Sequence, residues 1–262
     1  NLIQIMPHEK VRAMIAVREF DDDHFVVLAT RRGFIKKTPL SAFSRPRANG
    51  IIALTIEDND DLLSAGLSSG DDEVFMATAR GQSIRFNEND VRAMGRNARG
   101  VIGVRMSEED QCVGMEVLSG KPDILTVSAN GYGKRTPVEE YRLQGRGGSG
   151  IINMRASKRN GDVKATLEVN DADHMLIITA NGKIIRMNVD GISRIGRATQ
   201  GVRVIQLDEG DKVVSAIRTA EPEAEEKAAG AGGTGSPERA PRGAEGPERA
   251  ERVEGTPPAN ND

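Results

Sequence analysis

The sequence predicts an all-β fold: a propeller-like ring of four-stranded antiparallel blades built from ~50-residue repeats, followed by a disordered C-terminal tail. Three observations predict it. First, four segments share one pattern and close on Gly50, Gly100, Gly150 and Gly201, which are 50, 50 and 51 residues apart; the inner glycines Gly33, Gly81, Gly131 and Gly182 are 48, 50 and 51 apart. Second, the apolar runs inside each copy have strand length and no 3.6-residue stripe. Third, the composition changes abruptly near residue 221.

Each unit runs apolar strand, acidic turn, two apolar strands with a glycine turn before a basic return strand, polar loop and closing glycine. The fourth unit shows the pieces most plainly. Residues 163–169 read as a strand, 170–173 as a turn and 175–179 as a continuous apolar strand. Asn181-Gly182 is a two-residue hairpin signal, because both residues tolerate φ > 0. Residues 183–188 form the return strand, and 202–207 another strand after the closing glycine. A unit this small buries too little surface to stand alone, so the copies must pack against one another, and a ring also protects sheet edges. The count is four full units (1–50, 51–100, 101–150, 151–201) and a half unit (202–219). The first strand, 2–6, matches the strand that follows a closing glycine, so the chain is expected to start inside the repeat array.

Residues 220–262 are expected to be a disordered acidic tail, since Pro, Gly, Ala and Glu dominate and almost no large apolar residue is present. From residue 221 on the tail holds 10 acidic and 5 basic residues, against 39 and 36 in the whole chain, so the remainder holds 29 and 31 and is net +2. The net charge of −3 therefore conceals a slightly positive folded part. There is no Trp, so the core must come from Val, Ile, Leu, Met and Ala. The single Cys112 has no internal disulfide partner, which fits a reducing compartment. No apolar run approaches the ~20 residues a transmembrane helix needs.

Acids and bases occupy different parts of the unit. Acids gather at turns (21–23, 57–61, 71–73, 108–110, 171 and 173, 208–211). Bases follow the inner glycine, with Lys37, Arg85, Arg135 and Arg186 at matching positions and Lys36 and Lys134 beside two of them. Others precede the closing glycine: Arg45, Arg47, Arg96, Arg99, Arg146 and Arg197. Period-two alternation places Arg85 opposite Ile84 and Phe86, and Arg186 opposite Ile185 and Met187. One strand face is then expected to pack while the other presents a cation, giving a basic row that is dispensable for the fold and suited to the spaced phosphates of a polyanion. The closing glycines Gly50, Gly100, Gly150 and Gly201 read as backbone requirements. The loop Gln144, Gly145, Arg146, Gly147, Gly148, Ser149, Gly150 additionally offers backbone N–H groups to phosphates.

No catalytic constellation emerges. His8, His24 and His174 lack metal-ligand spacing, Tyr132 and Tyr141 lack activating neighbours, and Gly131-Tyr132-Gly133 is half a dinucleotide fingerprint with no helix after it.

With these features in hand, the chain resembles the family of bacterial DNA gyrase A C-terminal domains over residues 1–219. The likeness is carried by HFVVLATRRGFIKKT, VRAMGRNARG, NGYGKRTPVEEY and ISRIGRATQGV. The family's hallmark box is Gln, two basic residues, two glycines, a basic residue and Gly. Gln144, Arg146, Gly147, Gly148 and Gly150 match it, while Gly145 and Ser149 stand where the family has basic residues. This copy is therefore read as degenerate, with the intact box expected upstream of Asn1. The resemblance implies a β-pinwheel whose blades exchange strands and whose basic outer rim bends double-stranded DNA. It implies that this domain lets the holoenzyme introduce negative supercoils. It implies a non-catalytic fragment without metal or cofactor of its own, ATP and Mg2+ being used elsewhere in an A2B2 assembly. It also implies partnership with the breakage-reunion domain of the same chain and with gyrase B, in the cytoplasm and at the nucleoid, with no membrane. Two alternatives stay open: the equivalent domain of topoisomerase IV, and a protein-binding β-propeller of the regulator-of-chromosome-condensation type.

Overall fold

A computed structural model describes residues 5–6 and 9–219 of the chain. The expected tail, and residues 2–4 of the expected first strand, lie outside the described residues; Ile5 and Met6 are not in a strand. Fifteen strands follow in chain order: β1 (Phe25–Thr30), β2 (Phe34–Pro39), β3 (Leu62–Ser68), β4 (Glu73–Thr78), β5 (Gln82–Asn87), β6 (Val101–Ile102), β7 (Cys112–Leu118), β8 (Asp123–Ser128), β9 (Tyr132–Pro137), β10 (Ile151–Ile152), β11 (Val163–Val169), β12 (His174–Thr179), β13 (Ile184–Asn188), β14 (Val202–Arg203) and β15 (Val213–Thr219).

They form four antiparallel sheets in a ring, with strand orders β3-β1-β2-β6, β7-β4-β5-β10, β11-β8-β9-β14 and β15-β12-β13. In each of the first three sheets a central hairpin is flanked by a long inner strand and a two-residue outer strand. Both flanking strands lie further along the chain, so each sheet draws on three consecutive repeats. The inner strands pack in succession, β3 on β7, β7 on β11 and β11 on β15, and surround a channel of about 600 Å³.

The core lies between the blades. Val27, Ala29 and Ile35 of the first blade meet Val74, Met76, Ile84 and Phe86 of the second. Phe75 and Ala77 of the second meet Ile124, Val138 and Tyr141 of the third, where the Phe75 and Tyr141 rings meet edge-on with centroids 4.9 Å apart. Leu125 and Val127 of the third meet Met175 and Ile177 of the fourth. Both faces of an interior blade are therefore covered, which distinguishes this ring from a sheet with one wet face.

Local structure departs from the expected in three places. The hairpin loops are longer than two residues: 31–33, 79–81, 129–131 and 180–183 separate the paired strands. In each, the glycine N–H donates to the last residue of the preceding strand, as from Gly182 to Thr179 at 3.0 Å, which makes a turn plus a left-handed glycine. The strand expected over 202–207 is only β14, because Val204 and Ile205 turn inward, donate to the Gly131 carbonyl and bury Ile205. Short 3-10 helices that the periodicity did not announce end the return strands at Leu40–Phe43, Glu88–Asp90 and Val138–Glu140.

The repeat glycines, closing and inner, are backbone requirements of two strengths. Gly150 has φ +73°, and a Cβ there would lie 2.2 Å from the Ser83 carbonyl oxygen; the inner glycine Gly182 has φ +80° with open space around it. Gly182→Ala is expected to cost about 1–2 kcal/mol, the left-handed penalty alone. Gly150→Ala adds a backbone clash and should lower the melting temperature clearly further; equal melting temperatures for the two variants in a thermal scan would contradict this reading.

Candidate nucleic-acid interface

The matched cations occupy one register position, opposite Val27, Phe75, Leu125 and Leu176. The expectation that they face solvent fails for three of the four. Lys37 and Arg135 are 5% and 7% exposed, and Arg85 is largely covered. Each projects from a blade face that the next blade covers. Lys37 Nζ lies 3.2 Å from the buried Glu88 carboxylate and 4.6 Å from the centre of the Phe25 ring. Arg85 pairs with Glu73 at 2.5 Å and donates to the carbonyls of Val138 and Tyr141 at 3.0 and 3.1 Å. Arg135 pairs with Asp171, lies 3.6 Å from Asp123, and donates to the Ile192 carbonyl at 2.8 Å. These cations clamp the loop of the following unit onto the preceding strand, so they are not dispensable for the fold. Arg186 is exposed and, among the described residues, forms none of these ion pairs, because no further blade covers that face of β13.

Lys36 and Lys134 are also inside, both with no exposed surface. Lys36 Nζ donates to the carbonyls of Ala53, at 2.6 Å, and Arg96; Lys134 Nζ donates to those of Gly196 and Arg197, at 2.8 and 2.5 Å. Their job is to hold the polar loops against the return strands. Burial pushes the Lys134 ammonium down to about 7; burial, with some repulsion from Arg96, pushes Lys36 down to about 8.

The loop arginines are the cations that reach the rim. Arg45, Arg47, Arg99 and Arg146 are exposed, and Arg96 and Arg197 are half-buried. Arg96, Arg146 and Arg197 share one anchor: each donates a guanidinium N–H to a carbonyl of the edge segment after the previous closing glycine, on Ile52 (3.3 Å), Ile102 (3.1 Å) and Ile152 (2.7 Å). That shared bond orients the side chain while other N–H groups of the fork stay open. Arg99 stacks 4.0 Å over the centre of the Phe34 ring and pairs with Glu57 at 2.6 Å. In the box-like loop, Gly147 has φ +77° and its N–H donates to Gly103 at 2.6 Å, while the Gln144 N–H donates to Arg85 at 2.9 Å. Two of that loop's N–H groups are thus consumed inside the protein.

Sequence reasoning missed Arg105 and Arg155, both exposed. The available signal was their common offset of five residues from Gly100 and Gly150. Arg99, Arg105 and Arg146 converge on a rim cleft of about 460 Å³ that also includes Phe34, Ile102 and Gly147. Three guanidiniums around one concavity present several N–H donors in fixed planes to that cleft.

The acids serve the fold. Asp60, Asp110 and Asp211 each accept the N–H of the residue before an inner glycine, Arg32, Arg80 and Asn181, at 2.9, 3.0 and 3.1 Å. Arg32 and Arg80 also pair with Glu57 and Glu109, and Glu57 pairs with Arg99 as well, so acids and bases intermingle there.

The family model described as DNA gyrase C-terminal domain, beta-propeller, matches residues 24–69, 72–119, 122–170 and 173–220. The chain belongs to this family. Each matched segment contains one hairpin and the inner strand that follows it, which is the blade without its outer edge strand. Among relatives, the DNA gyrase A protein of Halalkalibacterium halodurans is 52% identical over 219 residues, covering 83% of this chain and 26% of that protein. The DNA gyrase A protein of Escherichia coli is 41% identical over 226 residues, covering 86% of this chain and 26% of that one. This chain spans about a quarter of the length of the relatives it matches. A solved structure of a DNA gyrase A C-terminal domain superposes with TM-score 0.75 at 28% identity, over 83% of this chain and 73% of that one. The C-terminal domain of DNA topoisomerase IV superposes with TM-score 0.79 at 24% identity, over 87% and 72%, and shares the fold.

The clamps make two predictions. Arg135→Met removes the donor to the buried Ile192 carbonyl, while Asp123 keeps Arg194 at 2.8 Å, and should destabilise the gyrase-family domain by about 1–3 kcal/mol in urea unfolding, whereas Arg186→Met should stay within about 0.5 kcal/mol. Equal effects would refute the assigned roles. Lys134 gives a pH dependence with a fixed sign. The unfolded chain holds this proton up to the ordinary lysine value of 10.5, while the folded chain releases it near 7. Between those values the unfolded state binds more protons, so stability rises with pH across that window and the penalty is fully present below it. Lys134→Met should flatten the rise between pH 7 and pH 9 in urea titrations; an unchanged slope would count against it.

Proposed function

We propose that this domain binds double-stranded DNA along its outer rim and bends it, as the non-catalytic DNA-wrapping part of a DNA gyrase A protein. The observation that carries the proposal is the exposed arginine cleft of Arg99, Arg105 and Arg146, repeated in part by Arg155 and Arg197 one blade further on. Family membership supports it, and DNA gyrase A relatives at 40–52% identity favour gyrase over topoisomerase IV. In this reading the domain acts beside a breakage-reunion domain and gyrase B in an A2B2 holoenzyme of the bacterial cytoplasm and nucleoid, where ATP and Mg2+ are used elsewhere to drive negative supercoiling. Rim guanidiniums neutralise phosphates and release counterions, and binding is largely indifferent to sequence. Bending 20–30 bp through 40–90° costs about 1–6 kcal/mol, which the spaced contacts along successive blades offset.

The contributors differ from those first expected. Arg45, Arg47, Arg96, Arg99, Arg146, Arg186 and Arg197 keep accessible surface for phosphate contact, joined by Arg105 and Arg155. Lys36, Lys37, Arg85, Lys134 and Arg135 act indirectly, by holding the loops that carry the rim arginines.

Replacing Arg99, Arg105 and Arg146 together with Gln in the full-length protein should weaken duplex binding and reduce the slope of log affinity against log salt by about 0.9 per lost phosphate contact. Fluorescence anisotropy across a salt series reads both. An unchanged affinity and slope would sink the proposal.

A further inference from the structure

The segment after the closing glycine, which forms the outer strand of the first three blades in its later copies, carries an exposed apolar residue at one position in three of its four copies. The second residue after the closing glycine is Ile52, Ile102, Ile152 and, in the last copy, Arg203. The isoleucines are 64%, 40% and 37% exposed, and Arg203 is exposed too. The register fixes where two of them stand: Ile102 lies opposite Phe34 and Ile152 opposite Gln82, both at the outer edge of a sheet. A single exposed isoleucine is ordinary. Three at one repeat position, replaced in the fourth by a long cation, each leave more than a third of the residue open to solvent.

Each of these isoleucines sits among rim cations. The Ile102 carbonyl holds the Arg146 guanidinium and the Ile152 carbonyl holds that of Arg197. Ile102 shares the rim cleft with Arg99, Arg105 and Arg146. A β-branched side chain is stiff at χ1 and loses little freedom when it is inserted between other groups. Apolar wedges flanked by arginines are the chemistry that opens base steps from the minor groove, and pyrimidine–purine steps open most easily.

We propose that Ile102 and Ile152 are wedges that enter the minor groove of the bound duplex and partly unstack a base step, so that DNA is kinked at the first two blades instead of curved smoothly. This rests on the reading of the rim as a duplex-binding surface. It predicts a preference that phosphate contacts cannot supply, for flexible steps phased with the blades.

The test uses the full-length protein on linear duplexes of about 150 bp, one persistence length, with permanganate oxidation reporting unstacked thymines and anisotropy reporting affinity in parallel samples. The unmodified protein should produce reactive thymines at TA steps. An Ile102→Ser/Ile152→Ser pair, assayed at a protein concentration that saturates the duplex by anisotropy, should lose that reactivity. An Ile102→Leu/Ile152→Leu pair, which keeps an apolar wedge, should retain it. Circular dichroism melting confirms that both variants are folded. Bound but unreactive DNA with the unmodified protein, or full reactivity with the Ser pair, overturns the wedge while leaving the rim reading intact; no duplex binding by the unmodified protein overturns both.

Discussion

Everything in this ring depends on the interior blades being covered on both faces. A hairpin of about a dozen residues with one inner strand has no independent core, and here the apolar residues of one blade complete those of the next. The same stacking seals polar groups inside. Lys37, Arg85 and Arg135 stand at the outer ends of the covered faces, where a cation survives only with fixed partners. Besides Glu73 and Asp123 in the cations' own units, partners come from the next unit along the chain: Glu88 for Lys37, the Val138 and Tyr141 carbonyls for Arg85, the Ile192 carbonyl and Asp171 for Arg135. A repeat array locked this way is ordered by each copy holding its predecessor.

This constraint also divides the positive charge into two populations. Buried cations fasten the loops, and the loops display the arginines that remain at the rim. Lys134 shows the link within one residue pair: its ammonium grips the Gly196 and Arg197 carbonyls from behind, while the Arg197 side chain reaches forward to the Ile152 carbonyl. A duplex lying on the rim would therefore rest on groups already oriented, at small entropic cost on binding. The acids are built in likewise, as acceptors for the hairpin turns.

The fourth blade shows what the stacking does by showing what happens without it. β13 lacks an outer strand and, among the described residues, a covering blade. Its cation Arg186 is exposed, and the position matching Glu73 and Asp123 is His174, whose Nδ1 is buried without a hydrogen-bond partner. The same repeat position is thus a clamp in three blades and an exposed surface charge in one.

The repeat period, the all-β class, the strand centres and the two families of glycine were legible in the sequence, because each follows from local rules: period-two alternation, turn chemistry and the need for φ > 0. The match of 163–169 to β11 is of that kind. What lies across the gap from a strand face is not a local property. Alternation showed correctly that Arg85 opposes Ile84 and Phe86, but not that a second blade covers the Arg85 side too. Nor could it show that Arg105 and Arg146, 41 residues apart in sequence, meet at one cleft with Arg99. The chain by itself determined the unit and how often it recurs. Only the packing of unit on unit decided which cations are sealed in as fasteners and which are left for a partner, since burial is set by neighbours that strand periodicity does not encode.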